Sequence, residues 1–322
     1  MRMKTLAACV LFALIFAVAP VLAQNYPARP IRVIAPFPAG GGTDLFARTI
    51  AQKLSAVWGQ QVVVDNRSGA GGMIGSEMVA KAAPDGYTLL ITSSSSHVIS
   101  PHLSRKPPYD PLNDFMPVIM IASAPNVLVV HPSVPARSVR GLIDLAKKRP
   151  GELNYASNGS GTLSHLTGEL FKLQTGINLV HIPYKGGPPA VIDLVAGQVS
   201  VLFSALPTVF AQVRAGRLRM IAVTGDKRIA PIIEVPTVAE AVPGFESVQW
   251  WGMFAPPALP VELTGRLSGE ISKMLVDAEL KARFAAEGAE ASQVSPRDFA
   301  AFLKADYEKW GKVVKAAGVR PE

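Results

Sequence analysis

Two stretches of this sequence have the residue types needed to hold an anion without a charged side chain. The first is "FPAGGGTD", residues Phe37, Pro38, Ala39, Gly40, Gly41, Gly42, Thr43 and Asp44. The second is "NGSGTLSH", with Asn158, Gly159, Ser160, Gly161, Thr162 and His165. Each sets glycines between an apolar, strand-like run and a helix-period segment. A helix start leaves its first backbone N–H groups unpaired and partially positive. Glycines let an anion approach those groups closely. Pro36 and Pro38 stiffen the first strand exit, which presets the donors. Charge-assisted hydrogen bonds contribute about 1.5–3 kcal/mol each, so three or four give roughly 5–10 kcal/mol before ordering costs. Micromolar binding takes about 8 kcal/mol. A carboxylate could therefore be gripped by backbone donors with no obligatory arginine.

Nucleotide chemistry fits poorly. A phosphate loop places Lys and Ser/Thr directly after its last glycine, whereas Thr43-Asp44 follow Gly42. The G-x-G-x-x-G spacing is absent too, because the next glycine after Gly42 is Gly59. For the first stretch alone, a plain strand–helix turn remains the alternative. Two such loops favour a ligand held between them, at the carboxyl ends of strands. A third loop, with Ser93, Ser94 and His97, follows another apolar run and reads as a site loop or a flexible spacer. "IPYKGGPPA" adds Tyr184 and Lys185.

Catalytic signals are sparse. Ser96-His97 and Ser164-His165 are adjacent pairs, but no G-x-S-x-G elbow exists and Gly159-Ser160-Gly161 is too short for one. A secreted hydrolase using Ser160 and His165 is the rival reading. The five histidines lack metal-site spacing with an acid partner. His165 is the best polar ligand contact among them. No catalytic residue, metal or cofactor is expected.

The elements that would position these loops alternate strand and helix. "IRVIAPF" (31–37), "QVVVDN" (61–66) and "YTLLITS" (87–93) read as strands, and from Asp44 the residues Phe46, Ile50, Leu54, Val57 and Trp58 share a helical face. "GGMIGSEMVAKAAPDG" is the second helix. This order predicts a parallel sheet covered by helices. A second α/β unit follows, with strands "NVLVVHP", "LNYAS", "INLVHIPY", "VSVLFSA" and "RLRMIAVTG". The tail from Leu259 is helical, and Phe299, Phe302, Leu303, Trp310, Val313 and Val314 form one apolar stripe.

The first residues stand apart from the fold. Arg2 and Lys4 precede an apolar run from Leu6 to Val18, and Val21-Leu22-Ala23 offers small residues before Gln24. Residues 1–23 read as a cleaved secretory signal, which places the mature chain in the periplasm. Cys9 is the only cysteine, so the mature chain is expected to carry no thiol and no disulfide. The formal charge of +8 becomes 8 − 2 = +6 without Arg2 and Lys4. These cations are scattered, which argues against a nucleic-acid partner and suits mild attraction of small anions.

The segments "YPARPIRVIAPFPAGGGTD", "VVVDNRSGAGGMIGSEMVAKAAPDGYTLL", "NYASNGSGTLSHLTGELFK", "HIPYKGGPPAVIDLVAGQV", "VPTVAEAVPGF" and "WWGMFAPPALP" resemble the extracytoplasmic binding proteins of tripartite tricarboxylate transporters, the Bug-type receptors. The resemblance implies a two-lobed α/β periplasmic-binding-protein fold of type II-like architecture, with two crossover hinge strands near Ile121–Asn126 and Val248–Phe254. Lobe 1 would comprise 24–122 and 250–322, and lobe 2 residues 123–249. It implies a monomer that captures a small carboxylate in the cleft and delivers it to membrane transport subunits. A ligand-sensing module for a signalling receptor is the alternative. The resemblance also brings Ser204 and Ala205 to the cleft. Where the family commonly carries acidic residues, this sequence has "VSVLFSALP". Ser204 in place of an acid argues against an amino-acid ligand, whose ammonium needs a carboxylate partner.

Overall fold

The computed structural model describes residues 26–319 apart from Pro231 and Gln293. The expected signal segment, residues 1–23, lies outside the described residues. Among these, no helix is long and apolar enough to cross a membrane.

The first half opens as its hydrophobic pattern predicts. Strands β1 (Ile31–Ala35), β2 (Val62–Asn66) and β3 (Thr88–Ser93) are parallel, with β1 between the other two. Helix α1 (Gly42–Trp58) buries Phe46, Ile50 and Leu54 and stops at Gly59, whose left-handed φ of 63° ends the turn. Helix α2 (Met73–Ala80) joins β2 to β3. In the second half β5 (Asn154–Ser157), β6 (Val180–Pro183) and β7 (Val201–Ala205) are again parallel, with β5 central. They are linked by α4 (Leu163–Thr175) and α5 (Gly187–Val195). Helix α3 (Val139–Lys148) precedes β5, and α6 (Leu206–Arg214) leads to β8 (Arg219–Val223).

The centre departs from two units in series. Strand β4 (Met116–Val130) begins ten residues before the strand expected at Asn126, because Pro117 and Pro125 interrupt the apolar pattern. Its first part pairs antiparallel with β9 (Val248–Ala255) and β10 (Glu290–Ala291), and its last part antiparallel with β7 and β8. One ten-stranded sheet results, in the order β2-β1-β3-β9-β4-β7-β5-β6. Residues 248–254, expected as a crossover, run beside the other expected crossover: Val248, Gln249 and Trp250 lie opposite Pro125, Ala124 and Ser123 of β4, and Trp251 to Phe254 also pair with β3. The return passes just before them. There Thr224 Oγ1 donates to the carbonyls of both Asn126 and Ser247, at 3.0 and 2.6 Å.

Strand alternation sorts the core onto two faces. Ile34, Leu90, Met120, Leu128 and Phe203 join one cluster that runs across both halves. Val33, Ile91 and Ile121 face a cluster beneath the first half, and Val127, Val129 and Leu202 one beneath the second. The tail forms α7 (Val261–Leu275), α8 (Ala278–Ala286) and α9 (Pro296–Ala316). Asp277 separates the first two by capping Leu280 N. Helix α9 buries Phe299, Leu303, Trp310, Val313 and Val314, so its stripe is core.

Candidate functional site

The pairing register brings the two glycine loops towards one place. Ser93, the end of β3, lies opposite Trp251, which lies opposite Ala122. Ala205, the end of β7, lies opposite Asn126. The parallel strands of the two halves run in opposite senses along β4, so both sets of carboxyl ends converge on the stretch between Ala122 and Asn126. Contact between the halves is direct: a Cβ on Gly161 would come within 2.6 Å of Leu103.

The first loop is braced from within. The Asp44 carboxylate accepts from Gly40 N and Arg48 Nε, both at 2.9 Å, and from Asn66 Nδ2 at 3.0 Å. Burial pushes its pKa up, but these hydrogen bonds and the Arg48 charge outweigh that and hold it low. Asp44, expected among the ligand contacts, has its oxygens committed to Gly40 of its own loop, to Arg48 of α1 and to Asn66 of β2. Thr43 Oγ1 accepts from Trp251 Nε1 at 3.2 Å, and the Trp251 ring lies 4.3 Å from that of Phe46. Asn66 Nδ2 also donates to the Phe37 carbonyl. The first bond of α1 runs from Leu45 N to Gly41 O. The N–H groups of Gly42, Thr43 and Asp44 therefore precede the helical ladder and point out of its start. Pro38, Ala39, Gly40, Gly41 and Gly42 are exposed, and Phe37 is half-buried.

The third loop is a wide, π-helical turn over Ser95–Ile99. Ser93 and Ser94 are buried, and Ser94 Oγ has no hydrogen-bond partner among the described residues. His97 corrects the expectation. Its side chain is fully buried, stacks on Phe254 at 4.0 Å, and is bonded through Nε2 to the Pro111 carbonyl. Burial drives its pKa down to about 3, so it is a neutral core residue that supports the loop from behind.

The second loop is also braced. Thr162 caps α4 through His165 N, and its hydroxyl donates to the Gly159 carbonyl at 2.7 Å. Gly161 N–H, expected to meet a ligand, donates to His165 Nδ1 at 3.0 Å. Ser160 is exposed, and Asn158 Oδ1 has no hydrogen-bond partner among the described residues. Ser160 and His165 share no hydrogen bond among those described, so the nucleophile–base geometry of the rival reading is not assembled. Nearby, Gly186 N donates to the Asn158 carbonyl. Tyr184 donates its hydroxyl to Asp193 at 2.7 Å; burial first, then that carboxylate, push its pKa up to about 12. Lys185 and Ala205 are exposed, whereas Ser204 is buried with an unpartnered Oγ.

Four bracing residues carried no role in the sequence reading: Asn66, Trp251, and the pair Ser157 and His181, in which Ser157 Oγ lies 2.6 Å from His181 Nε2 and accepts from Gly159 N. Their only signal was membership of segments quoted for other reasons. Among the described residues no cluster of His, Cys, Asp or Glu could hold a metal. A cavity of about 600 Å³ lies away from the loops, lined by Phe210, Arg214, Arg219, Met220 and Ile232 among others.

Residues 46–319 match the model of the tripartite tricarboxylate transporter family receptor. The chain belongs to this receptor family. Within it, Protein BugT of Bordetella pertussis is 41% identical over 305 residues, 94% of this chain and 93% of that protein. An R. palustris protein solved with adipate superposes with a TM-score of 0.77 at 40% identity, covering 92% of this chain and all of that one. MatC from Rhodopseudomonas palustris, with bound malate, is 29% identical at a TM-score of 0.72, covering 90% of this chain and all of MatC. The family's two-lobed α/β binding-protein fold is thus the fold of this receptor, as its sequence motifs imply.

Proposed function

We propose that this receptor captures a small organic acid in the periplasm and presents it to a tripartite tricarboxylate-type transporter. The observation that carries this reading is the convergence of two glycine loops at the carboxyl ends of opposed strand sets. Bare N–H groups at the start of α1 and the polar groups of Asn158 and Ser160 supply neutral donors suited to a carboxylate. The adipate and malate seen in relatives are carboxylates of this kind. Asp44 is the one acid in the loop segments 37–44, 93–97, 158–165 and 204–205, and its oxygens are taken. An ammonium group would find no free carboxylate there, which favours plain carboxylates over amino acids.

Residues 24–122 with 250–322 act as one lobe and 123–249 as the other. They are joined through β4 and through the return of the chain from Ser247 into β9, which pairs with β4. Ligand affinity that is greater in the closed form drives closure. No bond is made or broken, and the receptor works as a monomer after its signal is removed between Ala23 and Gln24. Calorimetry with adipate, malate and an amino acid tests this. Tight binding of the amino acid, with none of either organic acid, would overturn it. Mass spectrometry of the secreted chain tests the cleavage.

A further inference from the structure

His165 and His181 lie face to face, with ring centroids 3.9 Å apart and planes 8° from parallel. Tyr155 continues the stack, 4.9 Å from His181. Each histidine holds a different point of the second loop. His165 Nδ1 accepts from Gly161 N–H, so that nitrogen carries no proton. His181 Nε2 is 2.6 Å from Ser157 Oγ, and Ser157 Oγ in turn accepts from Gly159 N at 3.2 Å. The loop backbone is thus tied at Gly159 and at Gly161 to two imidazoles that touch each other.

We propose that His181 is a positioning residue for the second ligand loop, and that the stacked pair makes ligand affinity fall in acid. The proposal rests on the reading of that loop as a ligand grip. Protonating His165 at Nδ1 would set two donors against each other at Gly161. Protonating His181 would put a cation against a neighbouring ring, so two charges cannot coexist there. The other ionisable groups facing the pair are Glu169, Lys172 and Tyr155. The Tyr155 hydroxyl donates a hydrogen bond to Glu169 Oε1 at 2.6 Å, and Lys172 pairs with the same oxygen at 2.8 Å. The Glu169 charge favours protonation of both histidines and the Lys172 charge opposes it, but burial outweighs Glu169 at both rings. Burial lowers both histidines, and His181, further lowered by His165, falls to about 4.

The test uses the ligand-free receptor first. NMR follows the imidazole carbons and the Gly159 and Gly161 amides through a pH titration of wild type, His181→Gln and His181→Phe. Glutamine can keep a hydrogen bond to Ser157 without titrating; phenylalanine can keep the stack without the bond. The proposal expects both amides to move with the imidazoles in wild type. It expects the Gly159 amide to shift at all pH values in His181→Phe and to stay near wild type in His181→Gln. Adipate calorimetry then reads affinity. Below the first pKa of the pair, wild-type affinity should drop by up to about tenfold per pH unit beyond the drop seen in His181→Gln. Adipate's own titration is common to both and cancels. His181→Phe should bind about tenfold more weakly at neutral pH, the loss of one hydrogen bond. Unmoved glycine amides in His181→Phe, or identical pH profiles for wild type and His181→Gln, would overturn the proposal. If wild type binds no adipate, that failure belongs to the ligand reading, and the glycine amides still decide the role of His181.

Discussion

The Asp44 carboxylate accepts the Gly40 backbone N–H at 2.9 Å, so the first loop is fastened to the helix that it introduces. The same side chain is nearly buried and also bonded to Arg48 and Asn66. Asp44→Ala should therefore cost about 1.5–3 kcal/mol, since charged hydrogen bonds are lost from a buried site. Urea denaturation reads the stability, and calorimetry with adipate should show weaker binding from the loosened loop.

Gly41 separates function from folding. Its φ of −85° suits any residue, and a Cβ there would meet nothing closer than the Pro38 carbonyl at 3.7 Å. Gly41→Ala should leave stability within about 0.5 kcal/mol of wild type. If the bare backbone contacts the ligand, adipate affinity should still fall. Unchanged affinity would remove Gly41 from the grip.

The placement of the two glycine loops was legible in the sequence because loops at strand ends announce themselves. Gly40 to Gly42 and Asn158 to Thr162 both proved to sit where a strand hands over to a helix. What sequence could not convey was which donors the protein engages itself. Gly161 N–H and the Asp44 oxygens looked free, yet their partners lie one helical turn away or, for Asn66, on another strand. Trp251 braces Thr43 across 208 positions, a separation that no local pattern encodes. His97 misled because a polar residue after a serine run resembles a loop residue, whereas its ring fills a gap between Phe115 and Phe254. Strand β4 was half hidden because its prolines mimic breaks.

Acid should destabilise the receptor well before its carboxylates titrate. His97 is held neutral with a pKa of about 3, far below the 6.5 of a free imidazole. Between these values the unfolded chain binds a proton that the folded chain refuses. The sign follows: stability is complete above about pH 6.5 and falls as the pH drops towards 3. Asp44 adds a later loss, since its lowered pKa stabilises the fold only above the ordinary carboxylate range. Denaturant titrations at stepped pH should show a shallower slope from pH 6.5 down to 4 in His97→Leu.

Trp251 should report occupancy. Its indole touches the first loop twice, through Thr43 Oγ1 and through the space beside Gly42, where a Cβ would lie 3.3 Å from the ring. Adipate should change the intrinsic fluorescence reversibly, and Trp251→Phe should abolish most of that change. A signal unaltered in Trp251→Phe would mean that the loop does not move when the site fills.

Gly168 marks the tightest packing under the second loop. A Cβ there would overlap Tyr155 Cε2, and Tyr155 stacks on His181. Gly168→Ala should cost about 1–3 kcal/mol through overpacking. Thermal unfolding and the near-ultraviolet dichroism of the tyrosine should reveal it.

The place of β9 sets a schedule for the chain. This strand lies between β3 and β4, so the middle of the sheet lacks a member until residues 248–255 exist to fill it. A nascent chain that has produced only β1 to β4 carries two apolar strand edges with nothing to join them, and such edges invite aggregation. The receptor must therefore complete most of its length before its sheet can close. Contacts so distant along the chain also form slowly. If the chain crosses a membrane unfolded, as the proposed signal removal requires, this delay would keep it loose until it has crossed.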